Sequence, residues 1–255
     1  MPLDKRWKNT INSSKTDNRW NGYDCVIISA VNMFNRHLRG IRGYVPLDWH
    51  IIKAMVWTES GGPDNPAWKT MPMQIGANPN DAGLYTVINR KEGSELIIPP
   101  AFDRELKDTK KIKTDPVANI HTGIAYLLTR LAKKGEADVP DAADTKIYEY
   151  TVKDRDTLYD IARKHNTTVN VIKAMNPGIA MLKKGMVLKY RKASVQKIIT
   201  GWRPATSKMI YLWYNNNKQY INYAEKLDYC LEVMKGLDRI CPYESLEISL
   251  PSGGR

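Results

Sequence analysis

Apolar residues recur at helical spacing along much of the chain. Val26, Ile27, Ala30, Val31 and Phe34 form an i, i+1, i+4, i+5, i+8 stripe. It predicts a helix from about Tyr23 to Leu38, closed by Arg39-Gly40-Ile41-Arg42-Gly43. Pro46-Leu47-Asp48 opens a second helix, with Ile51, Ile52, Met55 and Val56 apolar and Gly61-Gly62-Pro63 as an abrupt stop. Glu59 lies three, four and seven residues beyond Val56, Met55 and Ile52, so a carboxylate falls on the apolar stripe at the last turn. Asp115, as N-cap, and Pro116 then start a strong helix through Val117, Ile120, Ile124, Leu127, Leu128 and Leu131. Two more helices are predicted over Ser207 to Tyr214 and Tyr220 to Leu237, separated by Asn215-Asn216-Asn217.

Other stretches lack that period. Residues 1–20 are polar and rich in Asn, Lys and Ser, and are expected to form an extended or loosely docked arm. From Gly61 to about Thr114 the chain is rich in Gly, Pro and Asn, with short apolar pieces such as Leu96-Ile97-Ile98; it reads as a long connection of the functional or mobile kind. Glu136 to Asp144, with four carboxylates and no base, reads as a linker. After it the pattern becomes βααβ: a strand at Tyr148 to Val152, short helices at Thr157 to Lys164 and Val169 to Met175, and a closing strand at Val187 to Tyr190.

The 39 Lys and Arg against 27 Asp and Glu give a net charge of +12. Residues 147–192 carry half of it, with ten bases against four acids. The excess implies attraction to a polyanion without choosing among nucleic acid, anionic lipid and cell wall. No recognition helix, aromatic strand motif or finger spacing supports nucleic acid as the partner. No apolar run reaches the roughly 18 residues of a spanning helix, and the N-terminal residues lack the apolar core of a signal peptide, so no stable membrane insertion is expected. His37, His50, His121 and His165 show no metal-ligand spacing, and neither metal nor cofactor is expected. Cys25, Cys230 and Cys241 form no CxxC, which leaves unpaired thiols, the favoured reading, or a Cys230–Cys241 pair.

The segment from Tyr150-Thr-Val-Lys-Asp-Arg-Asp-Thr-Leu through Ile161-Ala162, Asn176-Pro177 and Lys184-Gly-Met-Val-Leu188 resembles the LysM family in every landmark and in order. One departure is Arg155, where the family usually has Gly. The resemblance implies a shallow groove for N-acetylglucosamine-containing glycans, lined here by Asp156, Thr157, Leu158, Asn176, Pro177 and Ile179. Asp156 reads equally as a helix cap and Asn176-Pro177 as a turn.

Trp49-His-Ile-Ile-Lys-Ala-Met-Val-Trp-Thr-Glu59-Ser60-Gly-Gly resembles the catalytic helix end of the lysozyme-like lytic transglycosylases and goose-type lysozymes. Three further pieces are similar to that family in order: Met71-Pro-Met73-Gln74-Ile75, Asn119 to Tyr126-Leu127, and Trp213-Tyr214-Asn215 followed by Tyr223-Ala-Glu-Lys. Pro72 and Trp213 depart from its usual Leu and Ala. The resemblance implies cleavage of the β-1,4 bond between N-acetylmuramic acid and N-acetylglucosamine, with Glu59 as the catalytic acid and Ser60, Met73, Gln74, Tyr126, Tyr214 and Asn215 contacting substrate or orienting the acid. General acid catalysis near neutral pH needs a carboxyl that keeps its proton, which an apolar surround supplies. Lytic transglycosylases use one Glu as acid and then base, the sugar's own 6-hydroxyl closing a 1,6-anhydro ring. A hydrolase needs a second carboxylate at roughly 5–9.5 Å, for which Asp81 and Asp103 are the candidates.

The expected fold is mainly α, a lysozyme-like helical domain with a small inserted βααβ LysM module. The expected boundaries are an arm at 1–20, catalytic-domain parts at 21–145 and 197–255, and the module at 147–192. The partners expected are peptidoglycan glycan strands and, for a chain lacking a signal peptide, an immunity protein or a secretion-apparatus component. Such a chain would reach the wall as a phage endolysin, a delivered effector or an apparatus part. The competing reading is a non-catalytic wall-binding or assembly protein.

Overall fold

Aspartates start many of the helices. The computed structural model describes residues 2–215, 222–237 and 241. Asp4, Asp48, Asp81, Asp108 and Asp115 precede α1 (Lys5–Asn12), α3 (Trp49–Ser60), α5 (Ala82–Ile88), α6 (Thr109–Thr114) and α7 (Pro116–Leu131). Each carboxylate accepts a first-turn backbone N–H at 2.7–3.0 Å, satisfying donors that a helix start leaves without partners. Interspersed are α2 (Asp24–Leu38) and α4 (Pro66–Thr70). After α7 come β1 (Ala132–Pro140), β2 (Tyr148–Thr151), α8 (Leu158–Lys164), α9 (Val169–Met175), β3 (Val187–Tyr190), β4 (Ala193–Trp202), α10 (Ser207–Ile210) and α11 (Tyr223–Met234).

The chain divides into two compact units, Met1–Lys133 with Ile199–Arg255, and Lys134–Ile198. It leaves the first unit along β1 and returns along β4, and these two strands pair with each other. In the first unit α7 is buried on every side from Ala118 to Thr129, as befits a helix apolar around most of its circumference. Helices α2, α4, α5 and α6 pack on α7, and α3 packs on α2, α4 and α11. In the second unit β2 and β3 pair antiparallel, Tyr148 opposite Tyr190 and Thr151 opposite Val187. With α8 and α9 they enclose a small core of Val152, Ile161, Ala162, Ile172, Leu188 and Tyr190.

Several expectations need correction. Residues 1–20 are not a loose arm: α1 and two 3-10 turns dock through Ile11 and Trp20, at 0% and 2% exposure. Trp20 lies edge-on to Trp57, ring centroids 4.9 Å apart, and a Cβ on Gly62 (φ 108°) would come within 2.5 Å of its ring. Trp7 and Ile11, four residues apart on α1, and Trp20 anchor the segment, too few apolar positions to display a period in the sequence. The long connection contains α4, α5, α6 and three 3-10 turns, elements of three to seven residues, too short to display a helical period. Half of the acidic linker is strand, since β1 runs to Pro140. The helix expected at Ser207 to Tyr214 is α-helical only to Ile210, and Tyr211–Asn215 forms a π turn. Asn216, Asn217 and Tyr220 lie outside the described residues.

The cysteine reading changes as well. Cys25 is disulfide-bonded to Cys241, their Cα atoms 5.3 Å apart, and Cys230 is the buried free thiol. Burial pushes the Cys230 thiol up to about 12, and its sulfur lies 3.7 Å from the Thr58 hydroxyl inside the α3–α11 contact. The favoured reading of unpaired thiols therefore holds for Cys230 alone, and the alternative Cys230–Cys241 pair fails because Cys241 is joined to Cys25. Among the described residues no helix is long and apolar enough to cross a membrane, and no three metal-ligating side chains cluster.

Candidate functional site

Helix α3 ends where Gly61 takes a left-handed conformation (φ 72°, ψ 10°) and returns its N–H to Trp57 O, which leaves Glu59 on the last turn. Glu59 faces a cavity of about 410 Å³. The Tyr223 hydroxyl, from α11, donates to Glu59 Oε1 at 2.6 Å. Although Glu59 keeps some contact with solvent through the cavity, burial raises its pKa to about 7 and the charge of Asp81 adds to the rise. The Tyr223 hydrogen bond and the Lys226 ammonium work in the opposite direction. A carboxyl so placed is half protonated at neutral pH and can both give and take a proton.

One wall of the cavity is the loop after α4, and α7 holds it. Asn119 Oδ1 accepts from Met73 N–H at 2.9 Å, while Asn119 Nδ2 donates to Ile75 O at 2.9 Å and Ile112 O at 3.0 Å. One turn on, Gly123 lets Met73 pack directly against the helix, since a Cβ there would meet Met73 Sδ at 2.4 Å. Between these contacts Gln74 adopts φ 55° and its amide nitrogen donates to Met71 O at 2.9 Å. The Tyr214 hydroxyl donates to Met73 O at 3.3 Å, and its ring lies 5.3 Å from that of Tyr126. Burial raises the Tyr214 and Tyr223 hydroxyls well above the usual phenol range, so both remain donors.

Glu59, Met73, Gln74, Asp81, Tyr126, Tyr214 and Asn215, distant in sequence, all line this one cavity. Two of the expected residues do not. Ser60 is buried and its hydroxyl donates to Val56 O at 2.6 Å, bonding back within its own helix. Asp103 is tied to Arg90 and Lys107, both at 2.7 Å, which hold its carboxyl below the usual range and away from the cavity. The expected partner of Glu59 also changes: Tyr223 holds it, and Tyr214 holds the Met73 loop. Tyr223 and Lys226 were legible only as part of a sequence resemblance; their i, i+3 spacing on one face of α11 was the available signal.

Because the Tyr223 hydrogen bond favours the ionised carboxylate, Tyr223→Phe is expected to raise the Glu59 pKa above 7 by about one unit. The carboxyl chemical shift, followed across a pH titration, reads the midpoint. An unchanged or lower midpoint would show that this contact does not hold the carboxyl down.

In the second unit the loop residues divide between internal locks and open surface. Asp156 Oδ2 accepts from Lys153 N–H at 2.7 Å and from the Tyr150 hydroxyl at 2.8 Å, closing the β2–α8 loop. Thr157 caps α8 by accepting from Asp160 N–H at 3.1 Å. Asn176 Nδ2 donates to Ile172 O and Lys189 O, and its Oδ1 accepts from Lys189 N–H, so the amide is engaged within the fold. Leu158 and Ile179 pack against the small core, and Thr157 and Pro177 are exposed. Arg155 has φ 64°, the left-handed conformation that glycine adopts freely and that costs other residues about 1 kcal/mol. Arg155 therefore keeps the turn and adds a cation to its tip.

No curated protein and no solved structure matches the chain. Residues 150–189 match the LysM domain family, and this chain thus carries a LysM domain, a peptidoglycan-binding module.

Proposed function

We propose that the first unit is a glycosidase acting on the β-1,4 bond between N-acetylmuramic acid and N-acetylglucosamine in peptidoglycan, and that the LysM domain keeps it on its substrate. The observation that carries this reading is Glu59, a carboxyl with a pKa of about 7 held by Tyr223 at the wall of an open cavity. Cleavage requires a proton on the leaving glycosidic oxygen, which the neutral form of Glu59 donates. The resulting carboxylate then accepts a proton from the incoming hydroxyl. A single group can perform both steps when its pKa lies near the working pH.

The identity of that incoming hydroxyl depends on a second carboxylate. Among the described residues Asp81 is the other acid lining the cavity, and its Oδ1 is occupied in capping α5 at 2.7 Å from Leu84 N. That engagement favours the route with one working carboxyl, a lytic transglycosylase in which the 6-hydroxyl of the muramic acid attacks its own anomeric carbon. The test is to incubate the full chain with purified sacculi and identify the released muropeptides by mass spectrometry. Products with 1,6-anhydromuramic ends would support the transglycosylase. Reducing muramic ends would replace it with a hydrolase in which Asp81 activates water. No product, with sacculus binding intact, would leave a wall-binding protein.

A further inference from the structure

The π turn Tyr211–Asn215 delivers Tyr214 and Asn215 to the cavity, while Trp213, between Leu212 and Tyr214, stays outside its lining. π geometry is rare and persists where the surroundings hold it. Here the hold comes through Trp213, which is gripped twice. Its carbonyl oxygen accepts from Arg130 Nε at 2.8 Å, and the Arg203 guanidinium lies 3.5 Å from its ring centroid. Among aromatic side chains, Trp offers such a cation the most favourable face.

The two arginines are themselves fixed. Arg130 Nη1 donates to Glu92 Oε2 at 2.6 Å, and Glu92 sits at φ 52°, a left-handed conformation that costs about 1 kcal/mol. Arg203 Nη1 donates to Arg130 O and Ala132 O, both at 3.2 Å, covering carbonyls at the end of α7. Burial and the charge of Arg130 both work against the Arg203 cation, and the indole face offsets them. With Arg130 committed to Glu92 and Arg203 to backbone carbonyls, the pair forms a brace rather than an anion site.

What the brace holds lies one residue on. The Tyr214 hydroxyl reaches Met73 O, and the Tyr214 ring packs on Tyr126, one turn before Arg130 on α7. Tyr126 and Arg130 therefore meet the π turn from one face of a single helix. A shift of Trp213 moves Tyr214, and with it the loop of Met73 and Gln74 that walls the cavity.

We propose that Trp213 is a positioning residue of the glycosidase: braced between Arg130 and Arg203, it acts through Tyr214 to hold the Met73–Gln74 wall where the transition state needs it, without touching the glycan. The inference rests on the reading of the cavity as the site of cleavage.

The test compares the full chain with Trp213→Ala, Trp213→Phe, Tyr214→Phe and the double variant Trp213→Ala/Tyr214→Phe. Cleavage of soluble glycan strands gives kcat and KM, and amide exchange is followed over residues 73–77. Trp213→Ala and Tyr214→Phe are each expected to lower kcat about tenfold with KM nearly constant. Trp213→Phe, which keeps an aromatic face under Arg203, is expected to restore it. The double variant is expected to lose no more than either alone, because both act on one contact. Exchange over 73–77 is expected to follow the same pattern, faster in each single variant and no faster in the double. Losses that multiply to about a hundredfold, a loss confined to KM, or a kcat that Trp213→Phe leaves low overturn the inference and leave the glycosidase in place. Absence of cleavage by the unmutated chain overturns the glycosidase. Faster exchange in Trp213→Ala then still upholds the brace, and unchanged exchange overturns it as well.

Discussion

Glu59→Gln is expected to lower muropeptide release by about three orders of magnitude and to make the first unit more stable. The two effects have one cause. Folding raises the Glu59 pKa from 4.5 to about 7, so the folded chain holds this proton more tightly than the unfolded chain does. Below pH 4.5 both states are protonated and the carboxyl costs nothing. Between 4.5 and 7 the unfolded chain ionises first and stability falls, and above 7 the loss levels off at about 3 kcal/mol. Gln never ionises and still accepts from Tyr223, so the advantage of Glu59→Gln grows as pH rises through that window. All seven tryptophans lie outside residues 134–198, and their fluorescence in urea therefore follows the first unit separately. A variant no more stable than the unmutated chain at pH 8 would show that Glu59 is not held neutral, and the proton-transfer reading would lose its basis.

Loss of the Cys25–Cys241 disulfide is the second large effect. The bond closes a loop across a sequence separation of 216, and removing it is expected to cost about 4 kcal/mol, or roughly 10 °C in Tm. It ties the segment following α11 to the first turn of α2. Because α11 carries Tyr223 and Lys226, the tether also bears on the wall of the cavity. Thermal unfolding with and without dithiothreitol gives the measurement, with Cys25→Ser as the control that no longer responds to reductant. An identical Tm in both buffers would mean the pair is not joined in solution. Cys230 offers no alternative partner, since burial makes its thiol a poor nucleophile at neutral pH. A stabilising disulfide suits an oxidising compartment, the side of a cell on which a wall-binding chain works.

How far these features were legible differs element by element. Helices α2, α3 and α7 followed from their apolar stripes and caps, because each is long enough to show a period. The short helices between Gly61 and Thr114 and the docked N-terminal segment were not legible, since their stability comes from single anchors such as Trp20 and from contacts made by residues far away in sequence. In the cavity, Glu59 stood out because a carboxylate on an apolar stripe is anomalous. Tyr223 did not, because an aromatic near the start of a helix is ordinary until its hydroxyl is seen 2.6 Å from a carboxylate. Asn119 shows the same limit from another side. Its three hydrogen bonds, two to the Met73 loop and one to Ile112 O of α6, make it a scaffold for the cavity, and an asparagine within an apolar helix gives no sign of which backbone groups it will hold.

The strand pair that carries the chain out of the first unit and back has a consequence for modularity. Where the crossing begins, Arg203 N–H already donates to Leu131 O at 2.9 Å, so the residues bracketing the whole excursion are neighbours before any of it is built. A short turn joining them would close the helical unit without it. A gene could therefore acquire or lose the glycan-binding insert at this seam in one step, leaving Glu59, Tyr223 and the loop they face encoded as before.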